Sequence, residues 1–329
     1  MQTTLVLAVF LSAVPPLPAA DPRGAIEADL ARLASPAKGV VGVHAIHVES
    51  GRSVSLNASD RYPMASTYKV PIALAVLHQV DVGTIRLDER LAVEREDLRA
   101  GGGEELVKAA WKPGFNVSVE ELLERMLRES DNTATDLLFK RLGGPETVRL
   151  RLAELGFGGI AVARTELQLG SDYYGVTVPK DQRITIEAVR ALRKRVPAAK
   201  QKAAAEAWDR DTRDTTTPKE MAELLVKLTK GQLLSRPSTE RLLDWMRRNK
   251  TGDKRLRALL PKGTEVLDKT GTGGRSTNDI GILTLPDGTH VAVAVYVKWS
   301  QADDETREKV IAEAGRAVWE AFGKNGVAR

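Results

Sequence analysis

No cysteine occurs among the 329 residues. That excludes disulfides, thiolate metal sites, a cysteine nucleophile and a lipidated-cysteine anchor. Only four histidines are present, His44, His47, His78 and His290, and none stands in an H-E-x-x-H or comparable ligand spacing. A histidine-built metal site is not expected, and no cofactor is. A G-x-S-x-G elbow is also missing, so a serine nucleophile, if there is one, is not expected to use histidine as its base. Aromatic residues make up 5% of the chain, and the net charge of +5 is spread along it. The densest basic spot, Arg193-Lys194-Arg195, comes with no basic stripe and no stacking set, so nucleic acid is not an expected partner.

Long apolar runs are scarce as well. Leu5 to Val14 is of signal-peptide length and too short to span a bilayer. Small residues Ala19 and Ala20 then precede a polar DPRG. Residues 1–20 are read as an export signal with cleavage near Ala20, which implies a periplasmic or secreted protein without a stable membrane anchor. The expected state is a monomer.

What is present has a clear order along the chain. Arg23 to Ala34 has helical periodicity, and Val40 to Val48 with Arg52 to Asn57 read as a β-hairpin around Glu49-Ser50-Gly51. An apolar helix is predicted from near Ser66 to Gly83. Helical patterns follow at Val119–Arg128, Asn132–Leu142, Pro145–Leu155, Pro218–Leu228 and Thr239–Lys250. Strands return at Val266–Lys269, Asn278–Leu285 and His290–Lys298, and Glu305–Phe322 is a last amphipathic helix. The expected fold is therefore α+β: a five-stranded antiparallel sheet built from both chain ends and flanked by helices, with an all-helical lobe inserted. The expected boundaries are 21–62 and 255–329 for the sheet lobe and 63–254 for the helical lobe, with 171–213 as a helical hairpin added to a loop. The seam between the lobes is a natural cleft.

Three short motifs carry the chemistry. Ser66-Thr67-Tyr68-Lys69 opens the long apolar helix, whose N-terminal N–H groups favour a developing oxyanion and whose pitch brings Lys69 toward Ser66. Alone, S-x-x-K is weak, because about one is expected by chance in a chain of this length. A second one, Ser35 to Lys38, has no helix to hold its lysine. Ser130-Asp131-Asn132 can be an ordinary helix cap, or a proton-passing hydroxyl beside a substrate-holding amide. Lys269-Thr270-Gly271-Thr272 ends a β run, and its low bulk would let a substrate lie along the strand edge.

In this order, S-x-x-K, S-D-N and K-T-G are the set shared by class A β-lactamases and penicillin-binding proteins. The chain resembles a class A serine β-lactamase over nearly its whole exported length, in GVVGVHAIHVESG, RYPMASTYKVPIALAVL, ESDNTATDLLF, RDTTTPKEMAELLVKL and DKTGTGGRSTNDIGIL. The resemblance implies a small-molecule β-lactam substrate and a set of roles. Ser66 would be acylated, with the backbone N–H groups of Ser66 and Thr272 as oxyanion hole. Lys69 would accept a proton, which asks for burial or a cation such as Lys269 to lower its affinity for protons. Ser130 would protonate the leaving nitrogen. Asn132, Lys269, Thr270, Gly271 and Thr272 would bind substrate. The family's deacylating glutamate lies on a loop in an R-x-E-x-x-L-N pattern, matched here by Arg164-Thr165-Glu166-Leu167-Gln168-Leu169-Gly170, so Glu166 is the expected base. Arg164 and Asp214 match the pair that closes that loop.

Two departures stand out. Gly170 replaces an asparagine that helps hold the hydrolytic water, and the 171–213 insert could either splay the loop or cap the site. A penicillin-binding D-alanyl-D-alanine peptidase or slow esterase that acylates and releases poorly is therefore the alternative. A non-catalytic binder of cell-wall peptide or antibiotic is a third. Arg275 and Arg307 are the candidates for an additional carboxylate-binding arginine, and the loops around Trp111, Gly170 and Gly273-Gly274 are expected to shape specificity.

Overall fold

The computed structural model describes residues 22–101, 106–178 and 183–324. The export segment expected at 1–20 lies outside them. Helix α1 (Pro22–Ala34) leads into strands β1 (Val40–His47) and β2 (Ser53–Leu56). A two-residue strand β3 (Tyr62–Pro63) and a 3-10 turn (Ala65–Tyr68) precede helix α2 (Lys69–Asp81). Then come β4 (Arg90–Ala92), α3 (Leu106–Ala110), β5 (Asn116–Ser118), α4 (Val119–Arg128), α5 (Asn132–Leu142), α6 (Pro145–Glu154) and α7 (Glu166–Tyr174). The segment expected as an insert holds α8 (Ile186–Arg195) and α9 (Ala198–Arg210); β6 (Thr215–Thr216), α10 (Pro218–Thr229) and α11 (Arg236–Arg247) follow. Strands β7 (Val266–Gly273), β8 (Ser276–Thr284) and β9 (His290–Lys298) and helix α12 (Asp304–Lys324) close the described chain.

The main sheet has the order β2-β1-β9-β8-β7, with antiparallel pairing throughout. Strand β9 shows why it sits centrally. Successive side chains alternate faces, and both faces of HVAVAVYVK are apolar. Val291, Val293, Val295 and Val297 join Val310, Ile311 and Val318 of α12 in one core. Ala292, Ala294 and Tyr296 point the other way, into the core shared with the helical lobe. Helix α2 is the axis of that second core: Val70 and Ile72 to Leu77 are all at most 1% exposed and Pro71 is buried, as a helix apolar on every side should be.

Three boundaries differ from the sequence reading in ways that bear on function. The helix expected from Ser66 begins at Lys69, after the 3-10 turn. Pro71 lacks an N–H and its ring crowds the carbonyl four residues earlier, so the turn holding Ser66 tightens. Strand β7 runs past Lys269 to Gly273, because its register with β8 continues through Gly271↔Asn278, Thr272↔Thr277 and Gly273↔Ser276. The K-T-G motif is thus part of the sheet's edge. Finally, α11 starts at Arg236, where the Ser235 hydroxyl caps Ser238 N–H.

Candidate active site

Ser66 lies in a turn bolted to three strands. Ala65, just before it, has φ 45°, a strained value for a residue with a Cβ. Asn278 on β8 donates its amide to the carbonyls of Pro63 and Met64, at 2.8 and 3.0 Å. The Thr67 hydroxyl lies 2.8 Å from Met64 O and 3.1 Å from the Tyr296 hydroxyl on β9. On β7, a Cβ at Gly271 would come within 2.6 Å of Met64 O and 3.1 Å of both Ser66 N and Thr67 N. Glycine there is needed for the strand to touch the turn that holds Ser66, whereas the sequence alone points to substrate access as the use of its small size.

Lys69, fully buried, is the hub. Its ammonium donates to Ser130 O at 2.7 Å, Ser130 Oγ at 3.2 Å and Asn132 Oδ1 at 2.6 Å, and pairs with Glu166 Oε1 at 3.2 Å. Lys269, also 0% exposed, donates to the same Ser130 Oγ at 3.0 Å and to Thr270 O at 2.8 Å. Burial, and then the nearby Lys69 charge, pull the Lys269 pKa down to about 7. Behind it, Asp268 is raised to about 6 by burial, although Arg257 and Asn249 bond it. Asp279 is held further up by burial and by the Asp268 charge. Ser130 has φ 59° and stands just outside α5, whose cap is Asp131, bonding Ala134 N–H at 3.0 Å. The S-D-N motif therefore is a helix cap and also reaches the cleft. Asp131 caps, while Ser130 and Asn132 face the cleft.

The opposite wall is the end of β7. Thr270 Oγ1 lies 2.5 Å from Thr251 Oγ1. Arg255 bonds Thr272 Oγ1 at 2.7 Å, Gly271 O at 3.1 Å and Asn278 O at 3.0 Å, and lines the cleft. Neither arginine singled out from the sequence has this position. Arg275 binds Asp209 on α9, and Arg307 is buried against Thr277 Oγ1 and Asp304. No local spacing marks Arg255; only the fold carries residue 255 to the β7 edge. Trp111 likewise bonds Val93 O at 2.8 Å and packs on the helical core, away from the cleft lining.

Glu166 begins α7 and so stands on a short helix, where an irregular loop was expected. Thr165 and Gln168 form a reciprocal capping box. Asp136 on α5 accepts from Glu166 N at 2.7 Å and Leu167 N at 3.2 Å while Arg99 holds it at 2.6 Å. Arg164 bonds Asp214 at 2.6 Å and both Asp172 and Asp211 at 2.9 Å, and Asp214 accepts from the backbone of Ala163 and Arg164. Helix α9 is docked onto this clamp. Trp208 of α9 stacks under the Arg164 guanidinium at 4.8 Å and edge-on to Tyr173 at 5.6 Å, and Trp299 donates to Asp209 O. Tyr173, Tyr174 and Trp208 thereby line the cleft. A Cβ on Gly170 would meet no atom within 4 Å among the described residues.

One further neighbour had no signal in the sequence. Tyr68 is fully buried, and its hydroxyl faces the Glu166 carboxylate. Burial, followed by the charges of Glu166, Asp136 and Asp214, holds the phenol well above its ordinary pKa.

Together these groups surround a cleft of about 560 Å³ lined by Ser66, Ser130, Asn132, Glu166 and Thr270–Gly274. No group of side chains able to hold a metal ion is found among the described residues, and no described helix is long and apolar enough to cross a membrane. A profile of the beta-lactamase enzyme family matches residues 25–322. The extended-spectrum β-lactamase PER-1 of Pseudomonas aeruginosa is 32% identical, over 86% of this chain and 82% of its own. The carbapenem-hydrolysing β-lactamase KPC of Klebsiella oxytoca is 30% identical, over 88% and 86%. Among solved structures, a β-lactamase from Chitinophaga pinensis superposes with TM-score 0.75 at 30% identity, over 91% of this chain and 99% of that one. An ancestral class A β-lactamase does so with TM-score 0.74 at 37% identity, over 90% and 100%. The sheet with its helical lobe, the cleft between them and these likenesses in sequence and structure place the chain in the class A serine β-lactamase family, as an enzyme that hydrolyses β-lactams.

Proposed function

We propose that the cleft at the seam of the two lobes opens β-lactams through an acyl-enzyme on Ser66 and hydrolyses that ester with water activated by Glu166. The Ser66 hydroxyl gives its proton to the Lys69–Glu166 pair as Oγ bonds the lactam carbonyl carbon. The oxyanion that forms is held by the backbone N–H groups of Ser66 and Thr272. As the C–N bond breaks, Ser130 protonates the nitrogen and is itself reprotonated from Lys69. Water then attacks the ester while Glu166 takes its proton, and that proton passes through Lys69 to Ser66 Oγ as the ester C–O bond breaks.

The observation that carries this reading is the bonding of Ser130. Its oxygen accepts from both Lys69 and Lys269 at 3.2 and 3.0 Å, which leaves its own O–H free to donate into the cleft. Glu166, 3.2 Å from Lys69, connects the two half-reactions through one amine. Lys269, Thr270, Thr272 and Arg255 suit the substrate carboxylate, Gly271 keeps β7 against the Ser66 turn, and Asn132 suits a side-chain carbonyl. Arg164 and Asp214 hold the segment that carries Glu166. Residues 1–20 suit export to the periplasm or the medium.

A second reading, acylation with slow release, is favoured by the open space at Gly170. Intact mass followed over time with a simple penicillin separates the two. Turnover with only a fleeting adduct, none in Ser66→Ala and a persistent one in Glu166→Gln, supports hydrolysis through Glu166. An adduct that persists for hours in the unaltered protein sinks it.

A further inference from the structure

A second cavity, of about 340 Å³, lies beside the cleft and shares Gly101, Glu166, Gly170 and Tyr174 with it. Its far wall belongs to the insert: Ile184 ahead of α8, and Ile186 and Val189 on it. Leu98, Leu167 and Val176 complete an apolar lining. Arg99 and two arginines of α8, Arg190 and Arg193, also line it, and Arg193 lies 3.4 Å over the Tyr174 ring. Between the two spaces stands Gly170, which presents no side chain where a Cβ would find open room.

We propose that this cavity is a subsite for an aromatic acylamino side chain of the β-lactam, built by the inserted helix α8. The inference rests on the Ser66 reading above. A lactam whose carbonyl is attacked by Ser66 carries its acylamino group on the adjacent carbon, and the amide of that group is the part suited to Asn132. The Asn132 side chain bonds Ala100 O at 3.0 Å and lies against Gly101, where the cavity begins. Whatever extends beyond the amide meets Gly101 and Gly170 and passes into the apolar space. A planar aromatic group gains there from apolar burial and from the guanidinium groups that line the cavity. The sequence departures at Gly170 and at the insert then have one common use.

The test compares kcat/KM for 6-aminopenicillanic acid, which has no acyl group, with that for its phenylacetyl and naphthoyl derivatives. In the unaltered enzyme the naphthoyl compound is expected to exceed 6-aminopenicillanic acid by about tenfold or more. Val189→Trp, which fills the cavity from α8, is expected to abolish that preference, whereas Val189→Ala keeps it. Leu150→Trp, on the exposed face of α6, is the control for an added indole and leaves the ratio as it was. A ratio equal in Val189→Trp and the unaltered enzyme overturns the proposal, as does a naphthoyl compound no better than 6-aminopenicillanic acid. Failure of the Ser66 reading looks different: no Ser66 adduct forms with any of the compounds.

Discussion

The two halves of the cleft are held by different forces. On the side of Ser66, Lys69, Ser130 and Lys269, the groups are fixed by burial in the core and by hydrogen bonds made inside it. Both amines are completely buried, the Ser66 turn is pinned between β7, β8 and β9, and α2 is surrounded by core. On the side of Glu166, the short helix α7 is held by charges: Asp136 at its first two N–H groups, and Arg164 between Asp214, Asp211 and Asp172. Steric packing tolerates almost no displacement, because any shift opens a void or a clash. An ionic clamp holds only while its partners stay paired. Acylation and deacylation should therefore respond differently to the same kind of perturbation.

The largest separation is expected from Arg164→Ala. It strands Asp214, a buried carboxylate, and removes the platform under Trp208. Loss of one partner of a buried pair costs about 3–5 kcal/mol. Urea unfolding should show a loss of this order, and single-turnover kinetics should show deacylation slowed far more than acylation. Equal slowing of both steps would break the distinction between the halves.

A pH series probes the packed half. Lys269, pulled down to about 7 by burial and by Lys69, keeps its proton below that pH and loses it above, where an exposed lysine would still be charged. The KM of a penicillin should then rise as pH climbs beyond about 7, approaching tenfold per unit, while its methyl ester shows no such rise. The sign for stability is opposite. Above about 7 and up to the ordinary lysine value near 10.4, the unfolded chain binds a proton that the folded one does not, so this group adds stability as pH rises. A flat KM profile for the free acid would mean that Lys269 does not hold the carboxylate.

The smallest expected effect lies where the halves meet. Tyr68→Phe keeps the buried ring and deletes the hydroxyl facing Glu166. Removing the hydroxyl that faces the Glu166 carboxylate should slow deacylation by about tenfold or less. Acylation should change little. An unchanged deacylation rate would leave Tyr68 as packing alone.

Much of this protein follows from its sequence alone. The alternation in HVAVAVYVK and the apolar run after Lys69 require a two-faced central strand and a buried helix, whatever surrounds them. The strands at both ends of the chain imply the sheet, and the motifs single out Ser66, Lys69, Ser130, Glu166 and Lys269 as candidates before any distance is known. Other features depend on contacts between residues far apart in the chain. Arg255 reaches Thr272 only because the segment after α11 folds over the β7 edge, and nothing around residue 255 marks it. Tyr68 reads as one more apolar residue until α7 brings Glu166 against its hydroxyl. Gly271 looks like an opening for substrate until β7 lies against Met64 and Ser66. The insert reads as a solvated basic hairpin until Trp208 and Val189 are seen as walls. Periodicity encodes which face of an element is buried, because that depends on near neighbours in sequence. Which element it is buried against depends on chain closure over long separations, and only the tertiary structure decides that.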